Sequence, residues 1–96
     1  MIRVNLYTIL GIKDIIGERE VGIEVPDNSS LSGLITEIVN RWGNGISEVL
    51  FEPESKKIKA HLRLMVNGQD ISFLDGLDTR LKDGDEVMIF PPVSGG

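Results

Sequence analysis

The chain has no cysteine, a single histidine, His61, and only five aromatic residues among its 96. Without cysteine there are no disulfides, no thiolate metal sites and no cysteine nucleophile, so any sulfur chemistry must use something other than a cysteine side chain. His61 has no cysteine and no acid–serine pattern around it, and reads as an ordinary polar residue beside a strand. No Gly-x-x-x-x-Gly-Lys-Ser/Thr loop and no Gly-x-Gly-x-x-Gly after a strand is present, so autonomous nucleotide chemistry finds no support. No nucleophile–base constellation appears, and a non-enzymatic protein is expected. No apolar run reaches transmembrane length and the N-terminus has no signal-peptide pattern, which points to a cytoplasmic protein.

Positive charge is scarce. Ten Lys and Arg face fifteen Asp and Glu, a net charge of −5, with a pI near 4.7. Such a surface is repelled by phosphate backbones and anionic lipid, which argues against nucleic-acid and membrane partners and for basic grooves on other proteins. The same charge also serves solubility alone.

What is present is one domain's worth of periodic sequence. Ile2, Val4, Leu6 and Leu10 alternate with Arg3, Asn5 and Tyr7, the pattern of a first strand packed on one face. Gly11 to Gly17 has a short helix-like spacing at Ile12, Ile15 and Ile16. Glu20–Val25 is a second strand ended by Pro26. Ser30 is a good helix N-cap, and Leu31, Leu34, Ile35, Ile38, Val39 and Trp42 form one apolar stripe stopped at Gly43. Close approach to the sheet would account for Gly33 in its first turn. In residues 44–60, Ile46, Val49, Leu50 and Phe51 suit a cover for one end of the core, and 52–57 reads as a solvated loop. Leu62–Val66 is a strand and Asn67-Gly68 a tight turn. A short strand and irregular segment follow through Ile71, Phe73, Leu74 and Leu77. Lys82-Asp83-Gly84-Asp85 is another tight turn, and Glu86–Phe90 the last strand. Asp83, Asp85 and Glu86 lack metal-loop spacing, so no metal site is expected.

The order β-β-α-β-β-β gives an α+β protein: a β-grasp, ubiquitin-like fold, with one main helix on one face of a mixed sheet and the first and last strands near its centre. Residues 1–90 form the domain and residues 91–96 a flexible tail. If Val87 and Ile89 face the helix, Met88 and Phe90 face away with Tyr7 and Met65. These four are then either a docking patch or the floor beneath a covering loop.

Pro91 and Pro92 lack the N–H that a ladder needs and fix an extended departure from the sheet. Val93, Ser94, Gly95 and Gly96 follow, a slender tip within roughly 20 Å of the domain at 3.3–3.6 Å per residue. With no Cβ near the terminal carboxylate, a bulky reactant approaches it freely. This suits insertion into a narrow tunnel of another protein, with a frayed terminus as the alternative.

Leu81-Lys82-Asp83-Gly84-Asp85-Glu86-Val87, then Phe90-Pro91-Pro92-Val93-Ser94-Gly95-Gly96, resembles the small, sulfur-carrying subunit of molybdopterin synthase (MoaD-like) of the MoaD/ThiS sulfur carriers. The strand with Tyr7, Val25-Pro26 and Val66-Asn67-Gly68 also match the pattern, and residues 52–60 are longer than in the shorter members. The resemblance implies a non-catalytic carrier that binds no cofactor itself. An E1-like (MoeB-like) enzyme would use ATP to adenylate Gly96, and a sulfur donor would convert it to a thiocarboxylate. The arm, with Gly95 and Gly96 at its reactive tip and Pro91, Pro92, Val93 and Ser94 behind them, would enter a MoaE-like large subunit in a heterotetramer. Tyr7 and Phe90 would belong to the docking patch, which Met65 and Met88 extend. The alternatives are a carrier for thiazole or tRNA thiolation, a ubiquitin-like modifier conjugated through Gly96, and a plain β-grasp interaction domain.

Overall fold

The structure, a computed structural model, describes residues 1–59 and 62–90. Five strands form one mixed sheet: β1 (Ile2–Thr8), β2 (Glu20–Val25), β3 (Arg63–Val66), β4 (Gln69–Asp70) and β5 (Glu86–Phe90). Their order across the sheet is β2-β1-β5-β3-β4. β1 and β5 run parallel at its centre, and the other pairs are antiparallel. A parallel pair needs a long crossover, and here it carries everything between the first strand and the last. Central first and last strands with a helix across one face are the β-grasp arrangement.

The main helix follows directly from its sequence. α1 spans Leu10–Ile16 and α2 spans Leu31–Trp42. At the start of α2, the Ser30 hydroxyl accepts from the Gly33 N–H at 3.2 Å, satisfying one of the donors that every helix start leaves free. At its end the Gly43 N–H donates to the Val39 carbonyl at 2.7 Å. Leu31, Leu34, Ile35 and Ile38 are buried against Val4, Leu6, Ile23, Val25, Leu64, Val66, Val87 and Ile89. Those sheet residues alternate along their strands, as a one-sided sheet requires. Trp42 is partly buried against this core, with the Arg41 guanidinium 5.3 Å from its ring centroid.

Several details differ from the sequence reading. The first strand stops at Thr8, and Leu10 opens α1 rather than continuing the inward face. Thr8 itself is buried, its hydroxyl donating to the Glu18 carbonyl. A third helix, α3 (Asn44–Leu50), follows α2 at once. Ile12 of α1 and Ile46 and Leu50 of α3 are fully buried, so two short helices cap the core. Gly33 is exposed, and a Cβ there would meet only Ser29 and Ser30 at ordinary contact distance, so no close approach to the sheet explains it. The strand after Asn67-Gly68 is two residues long. Two 3-10 turns, Ile71–Phe73 and Gly76–Asp78, replace the rest. Residues 52–57 are exposed as expected, yet ordered by Phe51–Ile58 bridging and a Glu52 N–H to Lys57 carbonyl bond of 2.7 Å. Among the described residues no helix is long and apolar enough to cross a membrane.

Candidate functional site

The sheet face turned away from the helices carries one continuous row. Glu20 pairs with Tyr7, Tyr7 with Met88, Met88 with Met65, and Met65 with Asp70. All five strands contribute one residue each. Phe90 lies two positions beyond Met88 on the same face, opposite Arg63. Tyr7, Met65, Met88 and Phe90 are each half-buried, so the four residues expected to share a face do share it, and none is sealed beneath a loop. The result is an apolar centre between carboxylates at both ends of the row.

The rim is electrostatically set. The Tyr7 hydroxyl donates to Glu86 Oε1 at 3.2 Å. Burial, and then the negative charges of Glu20 and Glu86, push the Tyr7 phenol above its ordinary value, so it stays a neutral donor. Asp70 Oδ1 accepts from the Ser72 N–H at 2.9 Å. That hydrogen bond, with the Arg63 charge adding to it, holds the Asp70 carboxyl below the ordinary carboxylate range.

A network of backbone-directed carboxylates fixes β5, and with it the point where the chain leaves the sheet. Asp83 Oδ1 accepts from the Arg3 N–H at 2.8 Å, and Asp85 Oδ2 from the Lys82 N–H at 2.8 Å. Asn67 Nδ2 donates to Asp85 Oδ1 and Asn67 Oδ1 accepts from the Glu86 N–H, both at 2.9 Å. Gly84, at φ 88°, supplies a left-handed turn that a side chain would strain. Sequence reading placed a tight turn here but missed the latch to Asn67. Alternating Asp83 and Asp85 beside a glycine, with an Asn-Gly turn earlier in the chain, are its only signal. Asp83 and Asp85 are committed to holding this turn, through backbone N–H groups and the Asn67 amide. Among the described residues no cluster of three or more metal-ligating side chains occurs.

Pro91, Pro92, Val93, Ser94, Gly95 and Gly96, with His61, lie outside the described residues, so the expected arm and reactive tip begin where the description stops. An open groove of about 490 Å³ lies beside α3 and the 52–57 turn, lined by both charge signs, Glu48 and Glu52 with Lys56 and Lys59. Nothing in the sequence singled it out.

Comparison with known proteins agrees with this architecture. Small archaeal modifier protein 3 of Haloferax volcanii is 30% identical over 88% of this chain and 88% of its own. Sulfur carrier protein CysO of Mycobacterium tuberculosis is 38% identical over 70% and 72%. The solution structure of small archaeal modifier protein 1 from Methanosarcina acetivorans superposes with a TM-score of 0.85 at 26% identity, covering 100% and 98% of the two chains. A Pyrococcus furiosus structure, assigned provisionally as molybdopterin converting factor subunit 1, gives 0.77 at 31%, covering 97% and 100%. CysO in the Amycolatopsis orientalis BexX/CysO complex gives 0.73 at 30%, covering 97% and 99%. These relatives are small carrier or modifier proteins, and one is seen with a partner protein. The ThiS family model matches residues 11–96, and the chain belongs to that family.

Proposed function

We propose that the chain is a sulfur carrier whose Gly96 carboxylate is the working group, and that its acceptor is the pterin precursor of molybdopterin. The observation that carries this reading is the row Tyr7–Met88–Met65, continued by Phe90 at the end of β5, directly before Pro91. A half-buried apolar face beside the root of a slender arm is what a tail-donating protein needs: a grip for the partner and a reach into it.

The chemistry balances without any nucleophile of this chain except its terminus. A Gly96 carboxylate oxygen attacks the α-phosphorus of ATP in an E1-like activating enzyme, releasing pyrophosphate and leaving an acyl adenylate. A hydrosulfide sulfur then attacks the carbonyl carbon, displaces AMP and loses its proton. The resulting thiocarboxylate is a soft, largely ionised nucleophile. In a large synthase subunit the sulfur attacks a carbon of the pterin precursor and displaces an oxygen substituent, forming a thioester. Water then cleaves the acyl–sulfur bond, leaving the sulfur on the pterin and restoring the carboxylate. The Pro91-Pro92-Val93-Ser94-Gly95-Gly96 ending and the likeness to the Pyrococcus protein support the pterin acceptor.

The likeness to small archaeal modifier protein 3 over most of both chains favours a second reading, in which the same adenylate is taken by a lysine amine of a target protein. Incubation with activating enzyme, ATP and sulfide, followed by intact mass, tests the shared step and the carrier step together. Exchange of one terminal oxygen for sulfur, and molybdopterin formation with the large subunit, are expected. Lysine-linked conjugates without a thiocarboxylate would replace the carrier reading with the modifier reading.

A further inference from the structure

β2 is a margin of the sheet, and its phase can be read from the hydrogen bonds of β1. The Asn5 N–H donates to the Asp85 carbonyl at 2.9 Å, and the Arg3 carbonyl accepts from the Gly84 N–H at 2.8 Å. Odd residues of β1 therefore turn their backbone toward β5, so Val4 and Leu6 bond β2 through Ile23 and Val21. The Thr8 N–H, donating to the Arg19 carbonyl at 2.8 Å, keeps the same phase. The N–H and C=O groups of Glu20, Gly22 and Glu24 consequently point away from the sheet. Among the described residues no other strand or loop bonds them. The strand holds an unbroken register from Glu20 to Val25, with no bulge, proline or lysine to close the edge. The opposite margin, β4, is two residues long.

Three side-chain positions mark this edge. Glu20 and Glu24 are exposed on the outer face. Between them, the Arg3 guanidinium lies over Gly22, where a side-chain carbon would stand only 2.6 Å from Arg3 Cζ. Gly22 has no left-handed φ, so glycine serves here by leaving room for the guanidinium. Among the described residues the guanidinium has neither a hydrogen bond nor an ion pair.

We propose that the β2 edge takes an extended segment of a partner protein as a sixth, antiparallel strand, and that this segment reads basic–apolar–acidic–apolar–basic. Main-chain bonds to Glu20, Gly22 and Glu24 hold it, and alternate side chains select it. Its two basic residues fall opposite Glu20 and Glu24, and its central carboxylate meets Arg3 over Gly22. Its apolar residues turn to the other face, beside the half-buried Val21. A second copy of this chain does not fit. Pairing two β2 strands about Gly22 sets Glu20 of one copy opposite Glu24 of the other, and like charges directly opposite are destabilising. This edge is separate from the Tyr7–Met88–Met65 row, and the inference stands apart from the sulfur-carrier reading.

The test is amide hydrogen exchange and chemical-shift titration of the full chain with a capped peptide, Thr-Lys-Val-Glu-Val-Lys-Thr. In the free chain the amides of Val21, Ile23 and Val25 are expected to exchange slowly and those of Glu20, Gly22 and Glu24 quickly. Millimolar peptide is expected to protect the second set. The charge-swapped peptide Thr-Glu-Val-Lys-Val-Glu-Thr is expected to bind about tenfold more weakly or less. Glu20→Lys with Glu24→Lys should erase that preference. If this variant melts early, the comparison of the two peptides on the wild-type chain decides. Arg3→Gln should remove the advantage of the glutamate-centred peptide over one centred on threonine. Equal binding of the charge-swapped peptide overturns the proposal, as does peptide binding that leaves Glu20, Gly22 and Glu24 unprotected, or no binding at all. Protection of these amides that grows with protein concentration alone would replace it with self-pairing.

Discussion

Tyr7 and Glu86 meet across the central parallel strand pair, the phenol donating to Glu86 Oε1 at 3.2 Å. Burial first, and then Glu20 and Glu86, disfavour the phenolate in the folded protein. A tyrosine pKa raised on folding contributes stability that is complete below the unfolded value, about 10, and is lost as pH rises through the folded value. The melting temperature is therefore expected to fall above that pH, and to fall less steeply in Tyr7→Phe. Near neutral pH the two proteins should respond identically to small pH changes. Melts across the alkaline range, read with phenolate absorbance, check this; parallel alkaline slopes would show that the pair is not coupled to folding.

Phe90 lies opposite Arg63 on the outer face. Phe90→Asp is therefore expected to fold, because the new carboxylate has a cation across the strand and open solvent on the same side. Docking is a different matter. Enclosing an unmatched charge in an apolar interface costs several kcal/mol, on the order of 3–5, so binding to the large subunit should weaken by two orders of magnitude or more, roughly 1.4 kcal/mol per tenfold. Titration calorimetry measures it. Unaltered affinity would remove this face from the interface, and an unfolded variant would place Phe90 in the core.

Asp85 serves the fold rather than the partner. Its two oxygens accept from Asn67 Nδ2 and the Lys82 N–H. Asp85→Ala is expected to destabilise the domain by about 0.5–1.5 kcal/mol, the net range for hydrogen bonds whose freed donors water can reach, with partner affinity kept below the unfolding transition. Urea denaturation reads the first and titration the second.

These differences mark what sequence reveals and what it hides. β2 and α2 are legible to the residue: Pro26 ends one, Ser30 and Gly43 bound the other, and the apolar stripe has a clear helical period. The outer-face set Tyr7, Met65, Met88 and Phe90 follows from strand alternation alone. α1 and α3 were less legible because each is seven residues long and neither has a side-chain cap at its start. Their helicity comes from burying Ile12, Ile46 and Leu50, a tertiary gain with no local signature. Phe73 shows the same limit in reverse. An apolar Ile71-Ser72-Phe73-Leu74 run reads as strand, and only the 3-10 turn separates the ring that leaves the core from its neighbours that stay.

The central claim, that function resides in the carboxylate of Gly96, is tested most directly by deleting that residue. Shortening the arm withdraws the reactive carbon by about 3.3–3.6 Å, more than a positioned reaction tolerates. The full chain, treated with activating enzyme, ATP and a sulfide source, should show by intact mass the exchange of one terminal oxygen for sulfur. The truncated chain should show no exchange and support no molybdopterin synthesis, while its melting curve matches that of the full chain. Thiocarboxylate and molybdopterin at full-length levels from the truncated protein would contradict the account.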